Sequence, residues 1–180
     1  MIDRVVHRIW LDGEMPSHLR EVSNRSRCHL SGWDETLWDE ERLHVEFPEA
    51  APLVRGEHPA QRSDVYRLLI VARYGGFYMD TDCEIVGDID HLRSPGFVGL
   101  IEGMNDERFR ILSYFFGAVP EHRLTKSLID GFGSVGDIHS RVGWKHFNRH
   151  VLLNATEDTS LLGRRSFEGR IVHHFENSWC

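Results

Sequence analysis

The 180-residue sequence contains little cysteine, and its three cysteines, Cys28, Cys83 and Cys180, lie far apart. Because no two of them form a CxxC pair, a structural zinc site is not expected. The odd count, together with the short stretch before the first predicted strand, favours a reducing compartment. We therefore expect the protein to be cytoplasmic.

Long apolar runs and long basic runs are also absent from the sequence. No stretch is long enough to span a bilayer and none resembles a signal peptide, so no membrane span is expected. The net charge is -7 with histidine neutral, so nucleic acid is not an expected partner. With 41% apolar and 27% charged residues, the chain has the composition of a soluble globular protein, and we expect one domain over residues 1–180.

The stretch 63–84, SDVYRLLIVARYGGFYMDTDCE, is the most informative part of the chain. Ser63 is a suitable N-cap for a helix whose apolar residues recur at helical spacing. Gly75-Gly76 predicts the end of this helix, because glycine adopts the left-handed conformation that a helix C-terminus often needs. Phe77 to Met79 is predicted as a buried strand, and two aspartates follow it.

The remaining segments alternate between strand and helix patterns. Arg4 to Trp10 predicts a first strand, Pro16 to Leu30 a helix and Thr36 to Trp38 a second strand, which is the order of a βαβ unit. Further strands are expected at 97–102, 111–119 and 170–175, and helices at 124–132 and 142–153, with a short helix within 40–59. The pattern indicates an α/β fold with a mainly parallel sheet flanked by helices.

Asp80 and Asp82 lie where the third predicted strand ends. Residues two apart in a strand point the same way, and a bend at the strand end would bring both carboxylates to one ion. Mn²⁺ or Mg²⁺ binds carboxylate and phosphate oxygens, so the pair suits a metal that also holds a diphosphate. Asp-x-Asp is also common in solvated turns, and the triplet alone is weak evidence.

Asp64 and Arg67 are three residues apart and share one face of the central helix. Arg67 could face a diphosphate and Asp64 could accept hydrogen bonds from sugar hydroxyls, although a surface ion pair of little consequence has the same spacing. Tyr78 precedes the aspartates by two residues and could lie on their side of the sheet, or be an ordinary core tyrosine.

Two further groups lie near the ends of the chain. Trp10 ends the first strand, at the edge where open α/β sheets bind ligands, and could stack on a nucleobase or belong to the core. His173, His174 and Trp179 belong to a C-terminal segment that could fold over a bound nucleotide and supply a metal ligand, or form an ordinary last strand.

Taken together, these motifs resemble the DXD-containing sugar transferases of glycosyltransferase family 32, which include mannosyltransferases and bacterial capsular sugar transferases. The similarity covers most of the chain in the same order. It is carried by VHRIWL at 6–11, SGW and LW within 31–38, the SD, R, GG, Y and DTD positions within 60–82, and HHFENSW at 173–179.

The resemblance implies a GT-A fold, a UDP-sugar or GDP-sugar donor, Mn²⁺ or Mg²⁺ as cofactor, and retention at the anomeric carbon of a transferred hexose. It implies the following site: Trp10 and Trp179 for the nucleotide, Asp64 and Arg67 for the donor sugar and diphosphate, Tyr78 nearby, and Asp80 and Asp82 for ribose and metal. Catalysis is thereby assigned to Asp64, Arg67 and Asp82.

In the more distantly similar clostridial glucosylating toxins, a carboxylate five residues before the closing tryptophan helps bind the metal. This offset falls on His174, which is therefore preferred to His173 as a third metal ligand. The acceptor could be a glycan, a lipid-linked saccharide, a protein or a modified nucleic acid.

Two other functions stay open. A phosphohydrolase of the haloacid dehalogenase type also uses Asp-x-Asp, but after its first strand, whereas here the pair follows residue 79. A non-catalytic nucleotide-sugar-binding protein would bind the donor without turnover.

Overall fold

The structure, a computed structural model, describes residues 1–11, 13–55, 57–105, 108–133 and 144–175. Within these ranges, a six-stranded sheet has the strand order β2-β1-β3-β6-β5-β7, and β4 and β8 form a second sheet. The strands are β1 (Val5–Ile9), β2 (Asp34–Trp38), β3 (Gly76–Met79), β4 (Cys83–Ile85), β5 (Phe97–Asn105), β6 (Arg108–Ala118), β7 (Thr159–Gly163) and β8 (Ile171–His173).

Six α-helices connect or cover these strands in the described ranges. They are α1 (Ser17–Arg27), α2 (Glu40–Glu46), α3 (Ala51–Val54), α4 (Pro59–Tyr74), α5 (Arg123–Asp130) and α6 (Trp144–Asn154). In the part of the chain that the structure describes, no helix combines the length and the apolar character needed to cross a bilayer.

The large sheet is mainly parallel, as predicted. Strand β1 pairs in parallel with β2 and β3, and β5 pairs in parallel with β7. Strand β6 runs antiparallel to both β3 and β5 and joins these two groups. The strand–helix–strand unit expected at the start of the chain is confirmed, because α1 connects β1 to its parallel neighbour β2.

The two faces of this sheet bury two apolar clusters. Ile9 and Tyr78 lie in a cluster with the apolar residues of α4, whereas Val6, Phe77 and Met79 lie in a cluster with β4 and β8. Alternate side chains of one strand therefore serve different cores. Helix α4 is buried along most of its length, which explains the near-continuous apolar run in its sequence.

Helix α4 begins earlier than predicted. Its N-cap is His58, whose side chain accepts a hydrogen bond from the Ala60 amide, and Gln61 accepts one from the His58 amide in return. Pro59 then occupies the first helical position, where its missing N–H costs nothing. Ser63, the expected N-cap, lies inside the helix, and its hydroxyl donates to the Ala60 carbonyl.

Gly75 and Gly76 end α4 as predicted, with φ angles of 67° and 77°. At Gly76 there is also no room for a side chain, because a Cβ atom would overlap Val5 Cγ1 and lie 2.7 Å from the Val5 carbonyl oxygen. The double glycine therefore both stops the helix and lets β3 pack closely against β1.

Other boundaries differ from the predictions. Strand β6 begins at Arg108 rather than 111, and the last strand covers three residues rather than 170–175. Strand β4 was not predicted as a strand. Strand β7, five residues at the edge of the sheet beside β5, was not predicted because its sequence TSLLG has no alternation. The first two residues of the helix expected at 142–153 lie outside the described residues.

Candidate active site

A tight turn over residues 80–83 follows β3. The Asp80 amide still donates to the Tyr114 carbonyl of β6, at 2.9 Å, so Asp80 is held at the edge of the sheet. The Cys83 amide donates to the Asp80 carbonyl at 3.1 Å, which closes a β-turn before β4 begins. The turn sends the Asp80 and Asp82 side chains toward different partners.

On the α4 side, the half-buried Asp80 belongs to a polar group with the buried Arg67 and Tyr78 and the partly exposed Asp64. The Arg67 guanidinium pairs with the Asp64 carboxylate and lies 3.7 Å from Asp80 Oδ1. It also donates to the Ser113 carbonyl at 2.8 Å and lies over the Tyr78 ring, 4.9 Å from its centroid. The Tyr78 hydroxyl donates to Asp80 Oδ1 at 2.7 Å, so the four side chains form one network.

Burial and charge together fix the protonation states in this network. Burial opposes the charged form of Arg67, but the carboxylates of Asp64 and Asp80 more than compensate, and the net effect raises its pKa. Burial raises the pKa of Tyr78 well above its usual value, and the Asp80 charge raises it further. Arg67 therefore stays positively charged, and the Tyr78 hydroxyl stays protonated as a donor.

On the opposite side of the turn, Asp82 faces His173 of β8. The His173 Nε2 atom lies 3.2 Å from Asp82 Oδ1, and the imidazole ring stacks on Tyr114 with a centroid separation of 4.2 Å. In the described ranges, one group of three metal-ligand side chains has all its ligand atoms within 4.8 Å of one another: Asp82, Cys83 and His173. Asp80 is not a member of that group.

The His174 amide donates to the Asp82 carbonyl at 3.0 Å, but its ring, preferred from the sequence as the third metal ligand, contacts a different carboxylate. Its Nε2 atom is 2.9 Å from Glu84 Oε2, and Glu84 also forms a two-pronged ion pair with Arg25. The hydrogen bonds from Arg25 and, to a smaller degree, His174 lower the pKa of Glu84 to about 2. Cys83 pairs with His173 across β4 and β8, and the His173 ring is the one that contacts Asp82, whereas the His174 ring contacts Glu84. The assignment of His174 as a metal ligand stays a prediction.

Arg8 of β1 holds the turn from the face of the sheet that carries β4, and it was missed in the sequence. Its side chain is 1% exposed and donates to the carbonyl oxygens of Asp80 and Cys83, at 2.8 and 2.9 Å. It also donates to Glu35 at 2.8 Å and to the Ser26 hydroxyl at 3.2 Å. An arginine within the apolar strand RVVHRIW was the available signal, since a buried charge requires a partner.

Two predicted tryptophans have different outcomes. Trp10 follows β1 as expected, but it is only 9% exposed and packs with Met15 and Leu19, so most of its surface is already covered by protein. Trp179 lies outside the described residues.

A cleft of about 250 Å³ opens beside the Asp82–His173 pair. Residues of β6 line one side of it, and the residues His173 and Phe175 line the other. Its lining residues are Arg110, Ile111, Leu112, Ser113, Tyr114, His173 and Phe175. The cleft therefore adjoins both the Arg67 network, through Ser113, and the Asp82 side of the turn.

The segment that carries this site is similar in sequence to known proteins. Residues 36–96, which include α4, β3 and the 80–83 turn, match the family model described as the glycosyltransferase sugar-binding region containing a DXD motif. The Saccharomyces cerevisiae mannosyl phosphorylinositol ceramide synthase SUR1 is 23% identical over 83% of this chain and 43% of its own length. The Schizosaccharomyces pombe inositol phosphoceramide mannosyltransferase 1 is 27% identical over 67% of this chain and 40% of its own length.

Among solved structures, the PaToxG glycosyltransferase superposes with a TM-score of 0.63 at 14% identity, covering 84% of this chain and 68% of that chain. A structure titled as a transferase mutant superposes with a TM-score of 0.54 at 9% identity, covering 95% of both chains. These likenesses concern the fold.

In the family match, the sequence relatives and the fold, the chain is similar to glycosyltransferases of the α/β class that carry a DXD motif. Within that class, the chain is similar to family 32. It spans about two fifths of the length of the curated relatives that it matches.

Proposed function

We propose that this chain is a retaining glycosyltransferase that moves a hexose from a nucleoside-diphosphate sugar to an acceptor hydroxyl with the help of a divalent cation. The observation that carries the proposal is the division of the 80–83 turn between two polar groups. Asp80 belongs to the Arg67 network on one side, and Asp82 pairs with His173 on the other.

Arg67 would act mainly by orienting carboxylates toward the donor. Its guanidinium nitrogens already contact Ser63, Asp64 and Ser113, so few N–H groups are left for a ligand. Its charge, in a side chain that is 8% exposed, still favours a nearby diphosphate. Asp64 and Asp80 would then accept hydrogen bonds from the hydroxyls of the sugar and ribose.

Asp82 and His173 suit the cation. Two ligands of one small cation lie roughly 3 Å apart, close to the 3.2 Å between Asp82 Oδ1 and His173 Nε2. A carboxylate and an imidazole are acceptable ligands for Mn²⁺, and diphosphate oxygens and water would complete the coordination shell. When bound, the ion would neutralise the charge that develops on the departing diphosphate.

The proposed transfer requires no nucleophile from the protein. The bond between the anomeric carbon and the phosphate oxygen breaks, and its electron pair goes to the departing diphosphate. The acceptor oxygen bonds to the anomeric carbon on the same face, and its proton goes to the departing phosphate oxygen. The network around Arg67 would favour this charge separation, because its dipoles are already oriented before reaction.

The relatives suggest which substrates to test first. Two of them are named as enzymes of mannosyl or inositol phosphoceramide metabolism, which favours a mannosyl donor and a lipid-linked acceptor. The cleft beside Asp82 supports this choice, since the aromatic rings of Tyr114 and Phe175 and the charge of Arg110 would suit a polyol that carries a phosphate.

The test is a donor screen of the purified protein. Thermal shift and donor hydrolysis are measured with GDP-mannose, UDP-glucose and related donors, with Mn²⁺, Mg²⁺ or a chelator. We expect one donor to raise the melting temperature only when the metal is present, by mass action. Asp82→Asn should abolish metal-dependent hydrolysis and transfer, whereas Asp34→Asn, at an exposed position of β2, should not. Undiminished turnover by Asp82→Asn would overturn the metal role.

A non-catalytic nucleotide-sugar-binding function is the second candidate. It is favoured by the Arg67 guanidinium, whose contacts with Ser63, Asp64 and Ser113 leave few N–H donors for a departing diphosphate. Metal-dependent donor binding without hydrolysis, and without transfer to inositol phospholipid, glycan or protein acceptors, would support it over the enzyme.

A further inference from the structure

We infer that Asp82, Cys83 and His173 form a binding site for a thiophilic divalent cation such as Zn²⁺, with the Cys83 thiolate as one ligand. The inference deepens the proposed function and rests on it for the place of the cation beside the donor. What is new is the sulfur ligand and the metal preference that follows from it.

The positions of the three ligand atoms carry this inference. All of them lie within 4.8 Å of one another, and Asp82 Oδ1 and His173 Nε2 are already 3.2 Å apart. Zinc ligands at about 2.0–2.3 Å in a tetrahedral arrangement lie about 3.3–3.7 Å from each other. The oxygen and nitrogen are thus close to the required separation, and the sulfur, within 4.8 Å of both, needs to approach by no more than about 1.5 Å.

The strand register explains why the cysteine and histidine meet. Cys83 on β4 and His173 on β8 are directly opposite residues of an antiparallel pair, so their side chains project from the same face. The Arg8 guanidinium holds the Cys83 carbonyl at 2.9 Å, and the Cys83 amide is held by Asp80. The backbone that presents the thiol is therefore fixed from two directions.

Charge balance also favours this ligand set in a buried site. Cys83 is fully buried, and Asp82 is 8% exposed. A divalent cation bound by one thiolate and one carboxylate forms a neutral group, which is far less costly to bury than an isolated ion. The thiol proton would leave to solvent as the metal binds. The charge of Arg8 is already balanced by its ion pair with Glu35.

The thiol ligand determines which class of metal ion the site prefers. Mg²⁺ and Mn²⁺ prefer oxygen ligands and would use Asp82 with donor phosphates, whereas Zn²⁺ and Co²⁺ bind thiolate and imidazole readily. A Zn²⁺ ion held by all three side chains would keep Asp82 from a Mn²⁺–donor complex. Zn²⁺ is therefore expected to compete with Mn²⁺-dependent donor binding.

The experiment reads sulfur ligation directly. Cys28→Ser and Cys180→Ser together leave Cys83 as the remaining cysteine of the three in the chain. Co²⁺ is titrated into this protein, with no donor or acceptor present, and the thiolate-to-cobalt absorption band is recorded in the near-ultraviolet. We expect the band to saturate at one equivalent of Co²⁺ and to disappear on addition of Zn²⁺. A variant that also carries Cys83→Ser should show no band.

A matched pair of histidine variants keeps the test decisive if Cys83→Ser fails to fold. His173→Asn should weaken Co²⁺ binding by at least tenfold, since losing a direct ligand should cost no less than the about 10–100-fold loss seen for outer ligand partners. His174→Asn should leave the band and the affinity unchanged, because His174 contacts Glu84 instead. Circular dichroism confirms the fold of each variant.

The outcomes separate this inference from the proposed function. Co²⁺ binding without a thiolate band, a band that survives Cys83→Ser, or equal effects of the two histidine variants would overturn the sulfur site. The band requires no turnover, so it would still appear if no donor were ever found. Conversely, Mn²⁺-dependent transfer by a protein that shows no band would overturn the sulfur site alone.

Discussion

Replacing Arg8 by methionine tests whether one buried guanidinium supports the turn that carries the DXD motif. Methionine has a long unbranched side chain and could fill much of the space, but it has neither the charge nor the N–H donors. The substitution would remove donors from the Asp80 and Cys83 carbonyl oxygens and one partner from Glu35. We expect loss of stability and a less ordered turn.

The expected loss of stability depends on which partners of Arg8 keep another hydrogen bond after the substitution. Removing one member of a buried ion pair typically costs about 3–5 kcal/mol, because the other charge is left uncompensated. Here Glu35 keeps the Ser23 hydroxyl at 2.7 Å and Arg27 at 2.9 Å, and the Asp80 carbonyl keeps the Cys83 amide. The lower end of that range therefore applies, and Arg8→Met should reduce the free energy of unfolding by about 3 kcal/mol.

Urea denaturation measures this loss, and Arg27→Met is the matched control. Arg27 binds the same Glu35 carboxylate, but its side chain is 65% exposed, so its pair should contribute no more than about 1 kcal/mol. Arg8→Lys keeps the charge without the planar fork and should lie between the wild type and Arg8→Met. Equal losses for Arg8→Met and Arg27→Met, or a loss below about 1 kcal/mol for Arg8→Met, would refute the supporting role.

Three further predictions concern pH, backbone strain and the Asp80 network. His7 accepts a hydrogen bond from Trp38 and contacts the Gly75 carbonyl, and burial lowers its pKa from 6.5 to about 4, so the neutral form stabilises the fold. The stability that neutral His7 contributes should be complete above pH 6.5 and fall by about 3 kcal/mol as the pH drops to about 4. The unfolding free energy of His7→Gln, measured by urea titration, should therefore depend less on pH over that range than that of the wild type. Gly76→Ala should lower stability by about 3 kcal/mol in the same assay through its clash with the neighbouring strand, whereas Gly163→Ala, with open space around it, should be neutral, and equal effects would contradict the packing argument. Tyr78→Phe removes the hydroxyl that donates to Asp80 and should cost about 1.5–3 kcal/mol; an unchanged urea midpoint would show that this bond adds no net stability.

The sequence by itself determined the local unit around the DXD motif. Helix α4, its glycine stop, β3 and the following aspartates were predictable because their signals lie within a few residues of each other: an apolar run, a pair of glycines that permits positive φ, and polar residues at a strand end. The contact between Arg67 and Asp64 was expected from the three-residue helical spacing. The predicted N-cap of α4 was wrong by five residues, because His58 rather than Ser63 caps the helix.

Tertiary structure alone decided which side chains complete the site from far along the chain. The histidine beside Asp82 depends on the register of β4 with β8, and a slip of one residue would exchange His173 for His174. Arg8 reaches the turn across 72 residues of sequence, through the packing of β1 beside β3. Contacts of this kind leave no periodic signal, because they are fixed by strand order and register rather than by the residues next to them.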